Sequence, residues 1–231
     1  MGERAFLSDL IASSEGITDF THRHISYAIF QLLCKVARFT TTGFVHGDIC
    51  PDNVIISNNG TLELLTNSSA KAAKLPYKAP EVLLEMNDIS KADIWSIGTV
   101  FAEMMTRKTF FDDSSDRRQQ WNMIVETIGS PNSQFYNKVP FHSFCEIIRT
   151  PRSNGKSASE LLPFDKCSSP DDNAPVNCKY IERHSLYVFL VRNACDLLGQ
   201  MLIIDSEERI TAEEALQHPY VNFWLGYHWE C

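Results

Sequence analysis

HGDICPDNVIISNNGTLELLTNSSAK, residues 46–71, is the stretch whose reading decides the fold. Val54, Ile55 and Ile56 form a β-branched run, Leu62, Leu64 and Leu65 a second apolar run, and Asn58-Asn59-Gly60 between them is a turn signal. That pattern predicts a β-hairpin. Upstream, Ile25, Ala28, Ile29, Leu32, Leu33, Val36 and Ala37 recur at three- and four-residue intervals, which predicts a long amphipathic helix capped by Thr21 and stopped by Gly43. Phe6, Leu7, Leu10 and Ile11 predict a shorter helix before it.

Downstream, Asp93-Ile94-Trp95-Ser96-Ile97-Gly98 opens a segment that runs through Val100, Phe101, Met104 and Met105 and is apolar nearly all round, the mark of a helix in the middle of a core. Trp121, Ile124, Val125 and Ile128 predict another helix, closed by Gly129-Ser130-Pro131. The stretch from about 140 to 177 is rich in Ser, Asn, Pro and Asp and reads as an insertion with little regular structure. Helical spacing returns from Leu186 to Ile204, and Thr211-Ala212-Glu213-Glu214 is a capping box whose helix stops at His218-Pro219. The fold class is therefore mainly α with a small β-hairpin.

With 231 residues, 44% of them hydrophobic, the chain is long enough to bury a sizeable core. Its net charge of −8 and scattered Lys and Arg argue against nucleic acid as a partner and favour protein binding. No run approaches the roughly 18 apolar residues of a membrane span, and the first residues do not read as a secretory signal. Seven cysteines, odd in number, dispersed and never spaced C-x-x-C, argue against a disulfide framework or zinc site and predict reduced thiols in cytoplasm or nucleus. His22 and His24 stand two apart at a helix start and do not share a face, so they read as surface residues rather than a metal pair.

His46, Asp48 and Asn53 fall on the spacing H-x-D-x-x-x-x-N, which resembles the catalytic loop of protein kinases. In that family the Asp takes the substrate hydroxyl proton and the Asn holds a magnesium ion. Ala79-Pro80-Glu81 resembles the family's Ala-Pro-Glu signature, and D-x-W-S-x-G at Asp93 to Gly98 follows it in the family's order. QWNMIVETIGSP and LLGQMLIIDSEERITAEEALQHPYV are similar to mitogen-activated protein kinases, closest to the c-Jun N-terminal (stress-activated) kinases. The resemblance implies a kinase-like C-terminal lobe over residues 1–224, a family-type insertion at about 140–177 and a short tail at 225–231. It also implies structural roles for His46, for Asp93 as the brace of the catalytic loop, and for a buried ion pair between Glu81 and Arg209.

The same comparison exposes departures. Gly47 stands where the family has Arg, and Cys50 where it has the Lys that helps the transferred phosphate; Cys50 reads as a neutral replacement rather than an activated thiol. Thr66, Asn67 and Ser68 fall where the family has Asp-Phe-Gly, and a Thr hydroxyl is a poor substitute for the magnesium carboxylate. The segment from Thr66 to Glu81 is about ten residues shorter than the family's usual one and lacks the Thr-x-Tyr phosphorylation motif, keeping Leu75-Pro76-Tyr77. Only Glu230 stands where the tail of the family carries acidic residues.

The small lobe, with its Gly-rich loop and Lys, has no counterpart in this sequence. Asp48 is thus expected as a vestigial base, Asn53 as a residual magnesium position and Thr66 as a degenerate one. No confident metal site and no cofactor are expected. The expected partners are proteins of the mitogen-activated kinase pathway, that is kinases, phosphatases, substrates or scaffolds. The alternative is an active serine/threonine kinase that uses ATP and magnesium with a small lobe from elsewhere.

Overall fold

The computed structural model describes residues 4–13, 21–65, 74–114, 116–156, 158–161 and 178–226, with side chains omitted at 158–159 and 178–188. In chain order its elements are β1 (Arg4–Phe6), α1 (Leu7–Ala12), α2 (His22–Thr41), β2 (Val54–Ser57), β3 (Leu62–Leu64), α3 (Pro80–Leu83), α4 (Ala92–Thr106), α5 (Arg117–Ile128), α6 (Phe141–Ile147), α7 (Ala158–Leu161), α8 (Cys178–Met201) and α9 (Ala212–Leu216). Short 3-10 turns occupy Pro51–Asn53, Leu75–Tyr77, Phe135–Lys138 and Asn222–Gly226.

α4 is the axis of the molecule. Every residue from Ala92 to Met105 is buried, and α2, α3, α8 and the turn at Leu75–Tyr77 pack round it. A helix apolar on all sides has no face to offer water, so it is stable only when enclosed. Gly98 permits the closest of these approaches: a Cβ there would lie 2.9 Å from Leu202 Cδ2 and 3.1 Å from Met201 Cβ.

The hairpin forms between β2 and β3, with Val54 opposite Leu64 and Ile56 opposite Leu62. Gly60, at φ +80°, closes the turn, its N–H donating to the Ser57 carbonyl at 2.8 Å. Gln31 of α2 pins that turn to the helix layer: its Nε2 donates to the Gly60 carbonyl and its Oε1 accepts from the Leu62 N–H, both at 2.9 Å. β1 adds a third antiparallel strand beside β2, with Ala5 opposite Ile56. Three residues are too few to show an alternating pattern, so this strand has no signature in the sequence.

α2 begins at Thr21, whose N–H donates to His24 Nδ1 at 3.3 Å, and ends at Gly43, at φ +69°. α5 starts four residues before Trp121, because Asp116 caps it by accepting from the Gln119 N–H at 2.8 Å. The stretch read as irregular from about 140 contains α6, and residues 153–156 are tied to the end of α5: Lys156 N–H donates to Thr127 O at 2.8 Å. Apolar periodicity in α6 is broken by an outward-facing Phe141, which hides the helix from pattern reading. Residues 162–177 lie outside the described residues.

Two further expectations are corrected. Cys34 of α2 is disulfide-bonded, whereas Cys50 and Cys145 are free thiols; dispersion along the chain does not reveal which sulfurs are bonded. His22 is half-buried rather than a surface residue, with Nδ1 3.2 Å from the Tyr220 hydroxyl, and its burial lowers its pKa. Among the described residues no helix is long and apolar enough to cross a membrane.

Gly98→Ala gains about 1 kcal/mol of helix propensity against an overpacking cost of about 1 to 3 kcal/mol. A net loss near 1 kcal/mol is expected, read as a lower urea midpoint with an unchanged slope.

Candidate functional site

Residues 46–53 lead from the end of α2 to β2, through Gly47 at φ +71° and an extended Cys50, and close in the turn at Pro51–Asn53. Pro51 sets the helical φ of that turn and gives up an N–H that would otherwise lack a partner. Asn53 N–H donates to the Cys50 carbonyl at 3.0 Å and the Asn53 carbonyl accepts from Leu65 N–H at 2.9 Å, so the hairpin ladder continues into the loop.

Asp93, in the first turn of α4, turns its carboxylate away from its own helix. Oδ2 accepts from the His46 N–H at 2.7 Å and Oδ1 from the Gly47 N–H at 2.8 Å. This geometry differs from a helix cap, in which the carboxylate accepts from amides of its own first turn. Charge-assisted bonds of this kind, out of water, are among the stronger ones in a protein. His46 bridges onward: its Nε2 lies 3.0 Å from the Leu65 carbonyl and its Nδ1 accepts from the Asp48 N–H at 3.3 Å. A neutral imidazole protonated on Nε2 satisfies both contacts.

Asp48 and Asn53 meet. Asn53 Nδ2 donates to the Asp48 carbonyl and to Asp48 Oδ2, each at 2.8 Å. What remains for a cation is one carboxylate and one amide oxygen, short of the charged oxygen set that magnesium prefers. Among the described residues no group of three or more His, Cys, Asp or Glu could hold a metal ion. Asp48 and Asn53 are the described members of the expected magnesium positions; Thr66 lies outside the described residues. Cys50, at 4% exposure, brings no charge to this point. Burial, then the neighbouring Asp48 carboxylate, pushes its thiol pKa up, the opposite of a reactive cysteine.

A second buried contact lies beneath the loop, and the sequence reading missed it. Tyr77 hydroxyl donates to Glu103 Oε2 at 2.7 Å. Burial raises the pKa of both groups. The signal was a lone Glu inside the apolar run of α4. Asp52 sits near this pair and is bridged to Lys74 at 2.6 Å; that bond raises the Lys74 pKa.

Glu81 and Arg209 form a bidentate pair, Nη1 to Oε1 at 2.6 Å and Nη2 to Oε2 at 2.9 Å, with both side chains buried. The rest of the guanidinium is also satisfied, donating to the carbonyls of Ile203, Lys91 and Ile204 and lying 5.2 Å from the Trp95 ring centre. The pair joins α3 to the loop before α9, 128 residues apart in the chain.

Comparison with known proteins matches residues 2–221 to the protein kinase domain family. The chain is 33% identical over 221 residues to a stress-activated protein kinase JNK of Suberites domuncula, covering 89% of this chain and 56% of that protein. It is 31% identical over 217 residues to a stress-activated protein kinase JNK of Drosophila melanogaster, covering 89% and 55%. The chain thus spans about half the length of the relatives it matches.

Removing either Glu81 or Arg209 leaves an uncompensated buried charge, and a loss of about 3 to 5 kcal/mol is expected. A double-mutant cycle with Glu81→Gln and Arg209→Met would show strong coupling; additive losses would remove the pair as a tether. Tyr77→Phe takes away the donor that lowers the Glu103 pKa, so the folded-state pKa rises further above its unfolded value. The stability lost is largest where Glu103 is ionised, about 1 to 3 kcal/mol, and shrinks as pH falls and the carboxyl takes up its proton. Melting curves at pH 5 and pH 8 check the sign.

Proposed function

This chain belongs to the protein kinase domain family, and from that membership we propose that it is a JNK-like homologue that does not transfer phosphate and acts by binding proteins of the mitogen-activated kinase pathway. Phosphoryl transfer is positioning plus neutralisation of charge on the transferred group. The observation that carries the reading is Cys50: a buried thiol whose pKa is raised stands where the resemblance calls for a cation beside Asp48. Gly47 and Thr66 replace two further charged positions of the family pattern. All three substitutions are internal, so they are independent of where the chain begins.

The proposed partners are kinases, phosphatases, substrates or scaffolds that recognise this part of a kinase, and the proposed setting is the cytoplasm or nucleus. No cofactor is assigned. A second reading, an active serine/threonine kinase completed by a small lobe from elsewhere, is favoured by one observation: the loop is formed, with Asn53 holding Asp48 and Asp93 holding the N–H groups of His46 and Gly47.

The two readings separate in a thermal-shift titration of the purified chain with ATP and magnesium, since a ligand that binds only the native state raises its stability by mass action. A cooperative melt with no metal-dependent shift is expected. A metal-dependent shift, together with phosphotransfer that Asp48→Ala abolishes, would overturn the non-catalytic reading.

A further inference from the structure

Gly47 is held on both sides of its residue. Its N–H donates to Asp93 Oδ1 at 2.8 Å, and its carbonyl accepts from Lys78 Nζ at 2.5 Å. Its φ of +71° lies in the left-handed region, which a glycine adopts freely.

Lys78 itself stands on a rigid base. It follows the turn at Leu75–Tyr77, its N–H donating to the Leu75 carbonyl at 3.0 Å. The preceding residue is fastened to α4 twice, through the Tyr77 hydroxyl to Glu103 at 2.7 Å and through the Tyr77 carbonyl, which accepts from Ser96 Oγ at 2.8 Å. Lys78 is half-buried. A second lysine of the same segment, Lys74, reaches the far end of the loop at Asp52, at 2.6 Å. The segment therefore grips the loop at two points, 47 and 52, and at both the segment supplies the cation.

We propose that Lys78 is a positioning residue that locks residues 46–50 against the segment at 74–79, and that this lock needs no phosphate on the segment. The physical reason lies in the partner. An ammonium that meets a backbone carbonyl is satisfied by the polypeptide itself, and a charge-assisted bond in a partly buried place is stronger than a neutral one. With Asp93 holding the N–H and Lys78 the carbonyl, the loop has two independent anchors on α4, one direct and one through Tyr77. The inference goes beyond the proposed function and holds whether or not the chain transfers phosphate.

Hydrogen exchange on the full chain, read by mass spectrometry over peptides covering 46–50 and 92–106, tests it. Lys78→Met keeps the aliphatic stem and removes the donor. It is expected to speed exchange at 46–50 by about tenfold, the scale of one lost charged hydrogen bond, and to leave α4 unchanged. Lys78→Arg, which retains a cationic donor, is expected to restore most of the protection, and phosphatase treatment of the unmutated chain to change nothing. Should Lys78→Met not fold, Lys78→Leu, which also lacks a donor, is read in the same way. Unchanged exchange at 46–50, an equal rise in α4, or loosening of the loop by phosphatase treatment would each overturn the proposal.

Discussion

Two hydrogen bonds accepted by one carboxylate decide where the loop at residues 46–53 lies. Asp93 belongs to a helix enclosed on every side, so its charge cannot turn to bulk water. A buried carboxylate is tolerated only when hydrogen-bond donors surround it, and the donors here are the N–H groups of His46 and Gly47. The arrangement works in both directions. The loop satisfies the helix, and the helix fixes the loop to the middle of the core.

Around that contact the molecule uses buried polar pairs as joints between distant parts of the chain. Glu81 with Arg209 ties α3 to the loop before α9, and Tyr77 with Glu103 ties the turn at Leu75–Tyr77 to α4. Such pairs gain little over apolar packing but are costly to break, because the orphaned partner stays out of water. They therefore specify one arrangement of the segment at 74–84 more firmly than apolar contacts alone. Apolar packing supplies the bulk of the stability through Trp95, Phe101, Trp121 and the residues of α2 and α8 that enclose α4.

The chemistry of the site differs from its framework. His46, Asp48, Asn53 and Asp93 hold a formed loop on the kinase sequence pattern, while Gly47 and Cys50 stand where that pattern has cations. A backbone held in shape costs nothing to retain when it also closes the core. Charges that serve only a phosphate have no such second role. On the proposed non-catalytic reading the first is kept and the second is free to be lost: Asp93 still braces the loop, and a buried thiol stands at Cys50.

The periodicity of α2, the Asn58-Asn59-Gly60 turn, the apolar run of α4 and the capping box at Thr211 were legible in the sequence, because each is a local pattern set by side-chain spacing or by the φ of a glycine. The spacing of His46, Asp48 and Asn53 was legible too, through its resemblance to the catalytic loop of protein kinases. Other features depend on contacts between distant residues, and no local rule encodes those. The three residues of β1 are a strand only because β2 offers a free edge. Lys78 reads as an ordinary surface lysine until Tyr77 is anchored beneath it and the Gly47 carbonyl stands within reach. The sequence by itself determined the elements and the chemical types at the loop; the tertiary structure decided which groups are buried and paired, because burial is what turns a side chain's charge into a constraint.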